Sequence, residues 1–206
     1  WYEYILEVPD RLNDSIIKVA EAVKERNQLR TITFKKSKQI LPYAKSIFNM
    51  INETYKDLYN VVPLSDEQID FYVKQYFSVV NPDFVKIVLD KNDRLAALSI
   101  GFPSLAKTLQ KTKGKLLPLG FIRLLKALKV NNSVDMLLVA VRPDLQGKGV
   151  NSLLMKAMAE ACWKNGIRVA HLNPQLENNL KVRSQWKHFT GQQNKKRRCY
   201  FKDLQA

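Results

Sequence analysis

The stretch VDMLLVAVRPDLQGKGVNSLLMKAMAEA, residues 134–161, reads as a strand, a tight turn and a helix. Val134 to Val141 is apolar and β-branched enough for a buried strand. Pro143 and Asp144 break it. Gln146-Gly147-Lys148-Gly149 then opens a helix, along which Val150, Leu153, Leu154, Ala157, Met158 and Ala161 recur at helical spacing. The first amides of a helix have no acceptor inside it and carry the positive end of its dipole. Two glycines let the backbone take up conformations that other residues avoid and approach a ligand closely. The turn is therefore a candidate cradle for a phosphate or pyrophosphate on successive N–H groups. The plainer reading is a β–α turn whose glycines serve geometry alone.

Two phosphate-binding patterns fit poorly. A P-loop requires G-x-x-x-x-G-K-[ST], and the chain has no such run. A dinucleotide fingerprint requires a third glycine where Ser152 stands, and a ribose-binding acid where the next strand ends in Asn173-Pro174. A third pattern fits better. Val139-x-Val141-x-Pro143-x-x-Gln146-Gly147-Lys148-Gly149-Val150-x-x-Leu153-Leu154 resembles the acyl-CoA-binding motif of the GNAT N-acyltransferase superfamily, Gln/Arg-x-x-Gly-x-Gly/Ala preceded by Val-x-Pro and followed by a helix. The match covers Gln146, Gly147 and Gly149; Asn151 departs from the usual Gly or Ala. The resemblance implies that Gln146, Gly147, Lys148, Gly149, Val150 and Asn151 bind the pyrophosphate of coenzyme A. It also implies that the backbone of Leu138, Val139 and Val141 holds the pantetheine arm and polarises the thioester carbonyl. Gly149→Asp is then expected to abolish coenzyme A binding while leaving the fold largely intact.

The family's thiolate-protonating acid is a tyrosine within Asn-x-x-Ala-x-x-x-Tyr. The overlay here is Asn179-x-x-Val182-x-x-x-Trp186. It keeps Asn179, which would contact the pantetheine or order the strand end. It replaces the tyrosine by Trp186, whose N–H only donates. Acyl transfer to an amine needs a group to take the amine's proton. Glu177, just before that helix, and Glu53 and Tyr55, at the end of the first family helix where substrates often lie, are the candidate catalytic residues. His171 is a further candidate, balanced by the plainer reading of a hydrogen-bonded strand histidine.

The 206 residues carry a formal net charge of +15. Such an excess favours polyanionic partners: nucleic acid, acidic membranes, or coenzyme A itself. No apolar run reaches the length of about 18 residues that spans a membrane. Cys162 and Cys199 form no CxxC or Cys/His cluster, so no metal site is expected, and a reducing, cytoplasmic setting is.

Along the chain, Trp1 to Val8 alternates like a strand, and Asn13 or Asp14 caps a helix from Ser15 to about Gln28. Residues 1–28 read as a strand–helix unit, either the tail of or link from a preceding domain, or an N-terminal decoration. Leu29 to Lys36 alternates as a strand. A helix follows from Ser37 to Tyr55 or Leu58, and Ser65 caps another with Ile69, Tyr72, Val73 and Tyr76 on one face. Phe84–Leu89 and Leu95–Phe102 form a hairpin around Asp90–Asp93. Residues 104–130 hold two short amphipathic helices, Ser104–Lys113 and Leu119–Lys129, with Lys107, Lys111, Lys113, Lys115, Arg123, Lys126 and Lys129. These helices would cover an acceptor site, lie on a membrane surface, or present solvated lysines over a buried leucine stripe. Asn178–Phe189 reads as helix, and Lys195–Phe201 as a strand entered by a basic run.

The expectation is a mixed α/β (α+β) fold of GNAT type in residues 29–206, a central, mostly antiparallel sheet flanked by helices, with residues 104–130 as a helical insert. The resemblance implies an acetyl-CoA or other acyl-CoA dependent N-acyltransferase acting on an amine. The alternatives are a non-catalytic acyl-CoA-binding module, suggested by Trp186, and a basic nucleic-acid-binding domain, suggested by the charge.

Overall fold

The computed structural model describes residues 1–76 and 80–203. Its seven strands are β1 (Tyr2–Glu7), β2 (Arg30–Ile32), β3 (Val85–Leu89), β4 (Leu95–Pro103), β5 (Ser133–Val141), β6 (Val169–Leu172) and β7 (Gly191–Lys196). Its helices are α1 (Asp14–Arg26), α2 (Ala44–Tyr55), α3 (Asp66–Tyr76), α4 (Ala106–Thr112), α5 (Gly120–Lys129), α6 (Asn151–Lys164) and α7 (Leu180–Ser184). The strands make one sheet in the order β2-β3-β4-β5-β6-β1-β7. Only β5 and β6 run parallel; every other pair is antiparallel. This is the mixed, mostly antiparallel architecture expected from the sequence.

Strand β3 is buried at every position, as is most of β4, because helices cover both faces of the sheet. On one face, Ala20 and Val23 of α1, Val150 at the cap of α6, and Leu153 and Leu154 of α6 pack on Val88 and Ala96. On the other, Ile47 and Met50 of α2 pack on Ile87, Leu89, Leu95 and Leu98. Successive strand side chains alternate between these layers, so Val88 and its neighbours Ile87 and Leu89 enter different cores. Asn13 caps α1, its side chain accepting from Ser15 N at 2.9 Å.

Four elements differ from the sequence reading. The strand expected over 29–36 is only Arg30–Ile32, because Phe34 leaves the sheet to fill the α2-side core. The helix expected from Ser37 begins at Ala44 after two 3-10 turns, Ser37–Gln39 and Leu41–Tyr43; Pro42 removes an amide the continuous helix would use. The helix expected over 178–189 is α7 followed by a 3-10 turn, Gln185–His188. The last strand is Gly191–Lys196 rather than Lys195–Phe201: a polar, exposed edge recruited by main-chain pairing with β1, with no alternating pattern to announce it. On α3, Ile69 is buried as expected, while the side chain of Tyr76 lies outside the described residues.

The unit over residues 1–28 is built into this same sheet. β1 lies between β6 and β7, with Ile5 opposite His171 on one side and Gln192 on the other, and α1 packs along α6.

Candidate functional site

The site begins where two parallel strands part. β6 pairs with β5 only from Ser133 to Met136, while β4 follows β5 to Val141. Beyond Met136 one main-chain edge of β5 is therefore left without a strand. Asn173, just past β6, marks the fork: its Nδ2 donates to Leu137 O at 2.8 Å and its N to Met136 O at 3.3 Å. A cavity of about 500 Å³ opens there, within the range of small-molecule sites. Leu138, Val139, Leu154, Met158, Leu172 and Trp186 are among its mostly apolar walls. The Cys162 thiol also lines it, but burial pushes its pKa up to about 12, so it stays a protonated thiol.

The glycine turn lies between β5 and α6. Gly147 and Gly149 have φ of 74° and 83°, the left-handed region that suits glycine. The amides of Gly147, Gly149 and Val150 have no acceptor among the described residues, while that of Ser152 bonds Gly149 O. These free donors, with the amide of Asn151, stand at the start of α6, a helix of 14 residues, where the helix dipole favours an anion. The two glycines are not equivalent. A Cβ on Gly147 would meet nothing within 4 Å, whereas one on Gly149 would sit 2.9 Å from Val19 Cγ1 and 3.1 Å from Val23 Cγ2. Gly149 is thus held against α1, and Gly147 faces open space. Gln146 Nε2 donates to Val141 O at 3.0 Å, tying the turn back to its strand; Lys148 is exposed, and its carbonyl accepts from Arg26 Nη2 at 3.2 Å. Val150 is buried in the core, and Asn151 donates to Gln185 Oε1 at 2.5 Å beside the cavity.

Tyr55 reaches the uncovered edge of β5 from the end of α2. Its hydroxyl donates to Val139 O at 2.8 Å and accepts from Val139 N at 3.3 Å. Burial raises its pKa above the ordinary 10.0, only partly offset by the Val139 backbone bond, so the phenol is neutral near pH 7. Glu53 is exposed and does not line the cavity. Glu177 also lies outside it, accepting from Tyr2 Oη at 2.6 Å; that bond holds its carboxyl below the ordinary range, with Lys196 adding to the effect. Asn179 lines the cavity and caps α7, accepting from Val182 N at 3.3 Å. Trp186 donates to Gln175 Oε1 at 3.2 Å. His171 alternates on β6 with the cavity-lining Ala170 and Leu172 and is not part of the wall. The structure thus brings together Leu138, Val139, Asn151, Asn179 and Tyr55, and leaves Glu53 and Glu177 outside. Asn173 was missed by the sequence reading; the Asn-Pro break after β6 is the signal that points to it.

A brace holds the turn's entrance. Arg142 Nη1 donates to Asp90 Oδ2 at 2.8 Å and its Nε to Asp144 Oδ1 at 2.7 Å, so the β3–β4 hairpin is pinned to the end of β5. Burial alone would raise the pKa of Asp90, but Arg142 and the amides of Arg94 and Asn92 outweigh it and hold the carboxyl below 3.8. Both paired side chains are largely buried, 16% and 12% exposed. Asp90→Ala is expected to cost about 2–3 kcal/mol in urea unfolding at pH 7, Asp144 remaining to pair Arg142. Because the folded pKa is depressed, this contribution is present above the ordinary carboxylate value and lost as pH falls below it. The gap between wild type and variant should therefore narrow at acidic pH; a constant gap would refute the pairing.

Residues 93–188 match the family model described as Acetyltransferase (GNAT) family. A search of curated proteins found no match. A solved GCN5-related N-acetyltransferase from Sphaerobacter thermophilus is similar at TM-score 0.53 and 10% identity, over 93% of this chain and 48% of that one. A fungal multi-domain GH3 β-N-acetylglucosaminidase, which has a GCN5-related glucosamine N-acetyltransferase region, is similar at TM-score 0.52 and 13% identity, over 93% of this chain and 19% of that one. The chain thus spans less than half the length of these solved chains, and at such identities the likeness is one of fold. Among the described residues no His/Cys/Asp/Glu group could hold a metal, and no helix is long and apolar enough to cross a membrane.

Proposed function

We propose, from the match of residues 93–188 to the GNAT acetyltransferase family model, that the chain transfers an acyl group, acetyl in the first instance, from coenzyme A to an amine. The family uses an acyl-CoA co-substrate. The observation that carries the reading here is a juxtaposition: the uncovered edge of β5 lies on the apolar cavity, Asn151 at the start of α6 lines that same cavity, and the free amides of the glycine turn immediately precede Asn151. An extended amide-bearing chain such as pantetheine can add to a free strand edge as a peptide does, while a pyrophosphate sits on the turn. In the proposed reaction the neutral amine nitrogen attacks the thioester carbonyl. A C–N bond forms, the C–S bond breaks, the nitrogen loses its proton to water or a base, and the thiolate takes one. The proposal includes a cytoplasmic location, which suits two free cysteines. Trp186 at the overlay position favours one second reading, a module that binds acyl-CoA without turnover.

Titration calorimetry with acetyl-CoA and a longer acyl-CoA tests this. Saturable binding at one site per chain, retained at high salt, is expected. Gly147→Asp places a carboxylate over the amide cradle in open space and is expected to weaken binding at least about tenfold. No binding by folded protein removes both readings. Unchanged binding by the variant removes the site. Binding with no turnover over a panel of amines selects the second reading.

A further inference from the structure

We propose that the helical insert, residues 104–130, is a docking surface for an anionic lipid bilayer. The leucine stripe that would make this segment ordinary is only partly covered, Leu124 and Leu128 of α5 being half-buried. In α5 only Gly120 and Ala127 are buried. Phe121 and Leu125 lie at i and i+4 and are exposed, as is Ile122 at 60%. The loop before α5 adds Leu116, Leu117 at 81% exposure, and Leu119. This loop is a built structure. Phe121 N bonds Leu116 O at 2.7 Å and Gly114 N bonds Leu109 O at 3.0 Å, and a Cβ on Gly120 would run into the Lys115 carbonyl. The leucines are held outward.

Charge identifies the occupant. No Asp or Glu occurs between Pro103 and Val134, while Lys107, Lys111, Lys113, Lys115, Arg123, Lys126 and Lys129 do. Among the described residues none of these cations has an ion-pair partner. Apolar side chains interleaved with cations match an interfacial surface, the apolar groups entering the headgroup boundary and the cations facing acidic lipids. A second copy would set cation against cation. A nucleic-acid strand would want stacking rings, and the insert has only Phe121.

The test is flotation of the 206-residue chain with phosphatidylcholine vesicles alone or with roughly 30 mol % phosphatidylserine, near 0.15 M salt and without acyl-CoA. Binding only to the acidic vesicles is expected. Leu117→Ser/Phe121→Ser/Ile122→Ser and Lys115→Glu/Arg123→Glu, all at exposed positions with circular dichroism as the folding check, should each weaken it at least about tenfold. The proposal is overturned by no vesicle binding, or by equal binding of the serine variant. Self-association in sedimentation, or salt-sensitive oligonucleotide binding, each without vesicle binding, also overturns it.

Discussion

Gly149→Ala is expected to destabilise the fold by about 2–4 kcal/mol, while Gly147→Ala costs about 1–2 kcal/mol, both measured by urea unfolding. The two share one penalty. Each has φ near 80° (83° and 74°), where a Cβ crowds the backbone. Only Gly149 has a second one. Its Cβ would enter the space of Val19 Cγ1 and Val23 Cγ2 at 2.9 and 3.1 Å, so those side chains, of which Val23 is buried, or α1 itself would have to give way. Overpacking of this kind costs about 1–3 kcal/mol. This corrects the expectation that Gly149→Asp spares the fold: an aspartate there would disturb the α1 packing as well as the anion cradle, and a loss of coenzyme A binding would not identify the site. Gly147 separates the two effects. Equal costs at the two positions would mean that α1 yields freely and that the turn is not braced by the N-terminal helix.

The difference between those glycines was invisible in the sequence, and the reason is general to this chain. Features set by neighbours in sequence were readable. The β5–turn–α6 run, the β3–β4 hairpin around Asp90–Asp93 and the Asn13 cap all follow from local spacing and turn chemistry. Features set by distant partners were not. Nothing local says that β1 slots between β6 and β7, or that Gly191–Lys196, wholly exposed, becomes a strand by pairing with it. The departure of β6 from β5 after Met136 creates the cavity, yet β5 reads as one continuous apolar strand. The insert's helical periodicity was legible, but periodicity cannot say whether its leucines face a core or solvent. The same limit applied to Glu177 and Glu53, chosen by position along the chain; Tyr2, 175 residues away from Glu177, takes its carboxylate outside the cavity.

Tyr55→Phe is expected to lower kcat for acyl transfer by about a hundredfold or more, with acyl-CoA binding unchanged or tighter. Tyr55 is the one candidate catalytic residue that reaches the cavity, and it does so on the main chain of Val139, on the β5 edge proposed for pantetheine. Its raised pKa decides its role. A buried phenol above 10 is not a base near pH 7, but it holds a proton it can give. With Trp186 where the family's tyrosine would stand, Tyr55 is the proton donor we propose for the departing thiolate. A group that must be protonated fails as pH rises through its pKa. Because this pKa lies above the ordinary value, Tyr55 should impose no fall in kcat between pH 7 and about 9. In the free protein the hydroxyl competes with a ligand for Val139 N–H, so phenylalanine removes a competitor along with the acid. Its stability cost should be small, about 1 kcal/mol for the lost hydrogen bonds. Full turnover by a folded Tyr55→Phe variant would reduce Tyr55 to a clamp on β5. Loss of turnover together with loss of binding would instead mark it as part of the wall that shapes the cavity.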